Sequence, residues 1–127
     1  MSDEPQDRAD GRDLPRLTLA PMYTFVRVRP EGQQRYRWSG HIYDISAAGM
    51  RFELDEALEP GAAVEVKARL PGPKHMSISA RGHIVRIHDD ADEPGPIRMV
   101  MAFDDFHAQV DRQRLDSFLV EAGLKAA

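Results

Sequence analysis

Between Ala63 and Leu70 the chain alternates without a slip: Val64, Val66, Ala68 and Leu70 share one face, and Glu65, Lys67 and Arg69 share the other. A helix repeats its apolar stripe at three and four residues, so a period of two specifies a strand with one buried face. One strand cannot satisfy its own backbone donors and acceptors, so it needs partners. The chain supplies candidates on both sides. In Met22–Val28, Thr24, Val26 and Val28 oppose Arg27 and Arg29; Arg35–Ser46 carries Tyr36, Trp38, Ile42, Tyr43 and Ile45. Met50–Leu54, Met76–His88 and Ile97–Phe103 complete the set, and Pro, Gly and polar clusters separate them. In Met76–His88 the apolar parity slips between Ile84 and Val85, which predicts a bulge or strong bend near Gly82. Leu115, Phe118, Leu119 and Ala122 then fall at helical spacing, and Gly123 stands where a helix commonly stops. Six strands followed by one helix predict a mainly β fold, a closed or nearly closed antiparallel barrel with a C-terminal α-helix against it.

The length of 127 residues fits one domain. Residues 1–16 are rich in charge and proline (Asp3, Glu4, Pro5, Asp7), and no large apolar side chain lies between Met1 and Leu14. Such a stretch cannot offset the entropy of ordering, so a flexible arm is expected over residues 1–16 and the barrel with its helix over 17–124. No apolar run has the length of a membrane span, which argues against membrane insertion. The acidic, polar N-terminus lacks the regions of a secretory signal, and the absence of cysteine excludes disulfides and thiolate metal sites. By elimination, the expected location is cytoplasmic.

The net charge of −4 argues against general DNA or RNA binding, but it is unevenly distributed. From Arg12 to Arg51 seven arginines face Asp13, Glu31 and Asp44, so 7 − 3 = +4, and the remainder carries −8. Fourteen arginines stand against three lysines, and the planar guanidinium fork suits bidentate contacts to phosphate or guanine better than an ammonium does.

Two short patterns fall in that basic stretch. Arg12-Asp13-Leu14-Pro15-Arg16 is an RxxxR, and Asp44-Ile45-Ser46-Ala47-Ala48-Gly49 is a DxSxxG closing the second long strand. RxxxR alone carries little information, because Arg8 and Arg12 form another. DxSxxG alone reads equally as turn chemistry, with Asp and Ser bonding nearby backbone and Gly relieving the connection.

Together, in this order and around these strands, the patterns resemble the PilZ domain family over about residues 12–120. The supporting segments are Ala63–Leu70 leading into Pro71-Gly72, Gly82–Arg86, Met99–Phe103 and the terminal helix. The resemblance implies a six-stranded antiparallel β-barrel that binds cyclic di-GMP and thereby alters how the protein meets a partner, here an unidentified effector. It implies a ligand site lined by Arg12, Arg16, Asp44, Ser46 and Gly49, with Arg86 where such domains often place a ligand-facing residue. The Pro15-Arg16-Leu17 context favours the Arg12/Arg16 pair, since its second arginine abuts the first strand. Gly11 departs from the family, which often has a basic or large residue there, and this leaves open whether one ligand or a stacked pair binds.

The residue chemistry suits that ligand. Guanine O6 and N7 match an arginine fork, and a guanidinium can instead stack on the base. An ionised Asp44 accepts from guanine N1–H and N2–H₂, Ser46 donates or accepts, and Gly49 permits close approach of ligand and backbone.

No nucleophile–base pair, phosphate loop or converging carboxylate pair suggests an enzyme, and no cofactor beyond the nucleotide ligand is implied. His41, His75, His83, His88 and His107 lack metal-ligand spacing. Arg51, two positions after Gly49, is within reach of a phosphate but reads more readily as a solvated strand face, Trp38 as core or barrel edge, Asp104-Asp105 as solvated loop charges, and Met99 with Met101 as core or a pliable surface. The alternatives are a PilZ-like protein-interaction module that does not bind the nucleotide, and an oligonucleotide-binding barrel, which the acidic charge disfavours.

Overall fold

A computed structural model describes residues 16–74, 76–88 and 96–122. The strands are β1 (Leu17–Thr18), β2 (Phe25–Pro30), β3 (Trp38–Ile45), β4 (Gly49–Leu54), β5 (Ala63–Arg69), β6 (Ser77–His88) and β7 (Ile97–Phe106). They are followed by helix α1 (Gln109–Glu121). All pairings are antiparallel, in the order β1-β3-β2-β5-β6-β7-β4, and the further pairing of β3 with β4 closes six strands into a barrel. Closure leaves none of these six as an edge strand along its whole length. The seventh, β1, joins β3 through Leu17↔Ile45 and Thr18↔Asp44, beyond the Trp38–Gly40 stretch that pairs with β2.

The alternation that predicts β5 holds in three dimensions. Val64, Val66 and Ala68 point into the core with Val26 and Val28, opposite Phe52, Leu54, Met99 and Met101. Each large apolar side chain so buried contributes roughly 1.5–3 kcal/mol. Leu115 and Leu119 bring α1 down on β6 and β7, with Phe118 partly buried beside them. Asp111, also buried, accepts from Ala108 N at 3.0 Å and from Ser79 N at 2.9 Å. It therefore caps the helix and bolts it to β6 at once.

The β6 slip is real and double. Register shifts occur between Arg81 and Gly82 and again between Ile84 and Arg86. A Cβ on Gly82 would lie 2.0 Å from the Ala102 carbonyl oxygen, so the strong bend needs glycine there.

Three boundaries differ from the sequence reading. Met22–Val28 is not one strand: Pro21–Tyr23 forms a 3₁₀ turn and β2 starts at Phe25. Pro21 fits the start of such a turn, and Met22 and Tyr23 are exposed, as a continued strand face would not require. The strand expected from Arg35 begins at Trp38, after a polar turn. The last strand runs on to Phe106, because Asp105 pairs with Arg81 and Phe106 with Ala80 across the ladder. Asp104 and Asp105 are accordingly strand residues bonded to His83 and Arg81, not free loop charges.

Candidate ligand site

The turn after β3 sets the site. Ile45 pairs with Met50, and the four residues Ser46–Gly49 close the hairpin through Ser46 N donating to Gly49 O at 2.9 Å. The Ser46 hydroxyl is buried in this turn, accepting from Ala48 N at 3.1 Å. Ala48 O accepts from Phe103 N at 2.7 Å, which pins the turn to β7. At Gly49 a Cβ would stand 2.2 Å from the Met101 carbonyl oxygen, and φ there is not positive. The motif glycine thus has a packing cause: the backbone of β7 occupies the space a side chain would need.

Upstream of the turn, Ile42 pairs with Phe52 and Asp44 with Arg51, so Tyr43 is an extra residue in β3. This bulge lets Tyr43 and Asp44 both face outward while Ile42 and Ile45 stay in the core. Tyr43 donates its hydroxyl to Glu53, and the Arg98 guanidinium lies 4.5 Å from its ring centroid. Burial, reinforced by the Glu53 carboxylate, raises the Tyr43 phenol above its usual range.

Asp44 lies between two cations. Arg16 Nη1 donates to Asp44 Oδ1 at 3.2 Å, and Arg51 Nε stands 3.5 Å from Oδ2. The Asp44 side chain is only 13% exposed, so these contacts are shielded more than surface pairs usually are. Arg16 reaches it because β1 pairs with β3 immediately beyond, Thr18 opposite Asp44.

Cross-strand partners share a face, so the ladder extends this cluster sideways. Asp44 pairs with Arg51, Arg51 with Val100, and Val100 with Arg86, a lane of three steps of about 5 Å each on the outer wall of β3, β4, β7 and β6. Val100 is buried yet stands outside the core cluster, because Met99 and Met101 take the inward positions. It is covered where the ladder sets it between two arginines, Arg51 and Arg86. The described part of the lane carries three guanidinium groups and one carboxylate, 3 − 1 = +2.

Of the residues the sequence singles out, Arg16, Asp44 and Arg86 therefore lie on or beside one lane, while Ser46 and Gly49 build the hairpin that holds it. Arg12 lies outside the described residues. Arg51 and Val100 are additions. Arg51 does stand on a solvated face, its side chain 41% exposed, and hairpin register adds that it lies opposite Asp44; Val100 carries no motif signal at all. Trp38 is partly buried against the core and donates Nε1 to Glu56 at 3.1 Å. Among the described residues no three His, Asp or Glu side chains converge as a metal site would require. No described helix is long and apolar enough to cross a membrane.

The comparisons agree with this architecture. The PilZ domain family model matches residues 6–121. None of the curated proteins matches the chain. Among solved structures, the inhibitor of motility MotI/DgrA of Bacillus subtilis superposes with a TM-score of 0.68 at 22% identity, over 90% of this chain and 52% of that one. The PilZ domain of YcgR from Escherichia coli, with c-di-GMP, gives 0.66 at 15% identity, over 91% and 93%. MrkH of K. pneumonia, in complex with c-di-GMP, gives 0.66 at 18% identity, over 91% and 53%. This chain thus spans about half the length of MotI and of MrkH.

Proposed function

Because the chain belongs to the PilZ domain family, we propose that it is a non-catalytic receptor for cyclic di-GMP that binds the nucleotide on the Asp44 lane and passes the event to a partner protein. The observation that carries this reading is the meeting of Arg16 and Asp44, 28 positions apart in sequence, at 3.2 Å on the barrel wall.

In this account the nucleotide exchanges partners with an existing ion pair. A guanine edge brings N1–H and N2–H₂ to the Asp44 carboxylate, and Arg16 swings from Asp44 to a phosphate or to the guanine O6 and N7 acceptors. Arg12 joins from the arm. Arg51 and Arg86 supply further positive charge along the lane, opposite the two phosphates. Ser46 and Gly49 act first by fixing the hairpin. The arm becomes ordered as it closes, and ordering such a segment costs about 2–5 kcal/mol of the gross interaction. A ligand that touches both arm and barrel offsets that cost.

Calorimetric titration of the chain with cyclic di-GMP, beside cyclic di-AMP and GTP, tests the reading. Binding is expected for cyclic di-GMP alone, and Arg16→Ala and Asp44→Ala should each weaken it at least tenfold, about 1.4 kcal/mol. Equal affinity for the adenine analogue, or unchanged affinity in both variants, contradicts it.

A second reading has one observation in its favour. Arg16, Asp44 and Arg51 already satisfy one another, as the surface of a protein-interaction module without nucleotide would. Absence of heat with all three nucleotides would favour that reading.

A further inference from the structure

The lane crosses four of the six barrel strands and leaves β2 and β5 outside it. Their outer wall carries a different surface. Among the described residues the exposed large hydrophobic side chains are Met22, Tyr23, Phe25, Val110 and Val120, and three of these five lie within four consecutive positions. Met22 is 75% exposed and Tyr23 68%.

Cations adjoin this apolar cluster. Phe25 pairs across the ladder with Arg69, and Arg27 with Lys67. These four side chains line one shallow depression together with Ser77. The Arg27 guanidinium lies 5.5 Å from the Phe25 ring centroid. Among the described residues no carboxylate pairs with Arg27, Lys67 or Arg69. The next rung differs: Arg29 is neutralised by Glu65 at 2.8 Å. Among the described residues, three cations without a carboxylate partner thus adjoin three exposed apolar side chains, an arrangement that packing of the barrel does not require.

The wall is also mechanically joined to the lane. Leu19 N donates to Tyr43 O at 2.8 Å, Ile42 N donates to Thr24 Oγ1 at 2.8 Å, and His41 Nδ1 lies 3.0 Å from Thr24 O. The turn bearing Met22 and Tyr23 is therefore tethered at both ends to β3, beside Asp44.

We infer that Met22, Tyr23 and Phe25, with Arg27, Lys67 and Arg69, form a docking surface for an acidic segment of a partner protein that also presents apolar side chains. The inference deepens the adaptor reading above and rests on it for biological purpose. The charge of the strip selects an acidic occupant. The net charge of −4 selects against extended polyanions: it repels a long nucleic acid or an anionic membrane, whereas a short protein segment answers to the local strip.

Amide chemical-shift mapping of the full chain tests it, because mapping detects weak docking. The probe is a peptide of alternating glutamate and leucine at millimolar concentration, run beside its lysine–leucine counterpart, oligodeoxythymidine and phosphatidylserine vesicles. Shifts confined to residues 22–29 and 65–69 with the acidic peptide alone support the inference. They should weaken at least tenfold in the Arg27→Glu/Arg69→Glu double variant and at least threefold in Met22→Ser/Tyr23→Ser. Both variants change exposed side chains, and circular dichroism verifies the fold. Absence of shifts on this wall, equal response to the basic peptide, or preference for oligonucleotide or vesicles overturns it. The same variants should keep wild-type affinity for cyclic di-GMP. Loss of nucleotide binding by the wild-type chain would instead refute the receptor reading and leave the docking result standing.

Discussion

At Gly49 a methyl group would collide with the Met101 carbonyl, and that carbonyl belongs to a paired strand that cannot give way without breaking the β4–β7 ladder. Gly49→Ala should therefore lower unfolding free energy by about 2 kcal/mol or more in a urea titration, an overpacking cost. If Gly49 served only to admit a ligand, stability would stay unchanged. Ser46→Ala removes the hydroxyl that Ala48 N uses and should cost about 1 kcal/mol. The DxSxxG pattern was legible as a unit in the sequence, but its division of labour was not. Asp44 presents its charge outward, whereas Ser46 and Gly49 have the turn and the neighbouring backbone to satisfy. The pairing of Arg51 with Asp44 was hidden for a related reason: it depends on hairpin register, and the extra residue at Tyr43 changes the count by one.

Elements were readable where packing enforces one period. The β5 segment is the clearest, buried on one face and solvated on the other from Val64 to Arg69. Reading failed where local geometry overrides pattern. The Pro21–Tyr23 turn interrupts an alternation that otherwise looks continuous, and Thr24 resumes it by bonding the backbone of Ile42. The helix was found from Leu115, Phe118 and Leu119, but its cap was not, since Asp111 looks like any exposed helical carboxylate in sequence. Asp111 accepts one bond from its own N-cap and another from β6, while Ala108 offers no side-chain acceptor in return. Asp111→Ala should cost about 2 kcal/mol by chemical denaturation and loosen α1 from β6. Amide exchange should show this as faster opening at Ser79 and along the first helical turn. A loss no larger than that of Asp116→Ala would contradict the bolt.

Across the whole molecule charge is segregated, and its pH response follows from the pairs that hold it. The Arg29 guanidinium and the Gly32 amide hold the Glu65 carboxyl below its usual range. A depressed folded pKa gives stability that is fully present above the unfolded value and is lost as pH falls through the folded one. Acid unfolding below the ordinary glutamate range should therefore be shallower in Glu65→Gln than in the wild type, with the two curves differing most near neutrality. Parallel curves down to strong acid would remove Glu65 from the acid limb. The fold class, barrel closure and family were legible at this scale because many weak signals agree in order. The lane was not, since it is assembled sideways from two strand pairs, β3 with β4 and β6 with β7, that are distant from each other in sequence. A crystal structure determined with cyclic di-GMP tests the central claim most directly. A guanine edge is expected within hydrogen-bond distance of the Asp44 carboxylate, with Arg16 moved from Asp44 onto the nucleotide. Nucleotide absent from the lane, or bound on the β2–β5 wall with the Arg16–Asp44 pair intact, would contradict it.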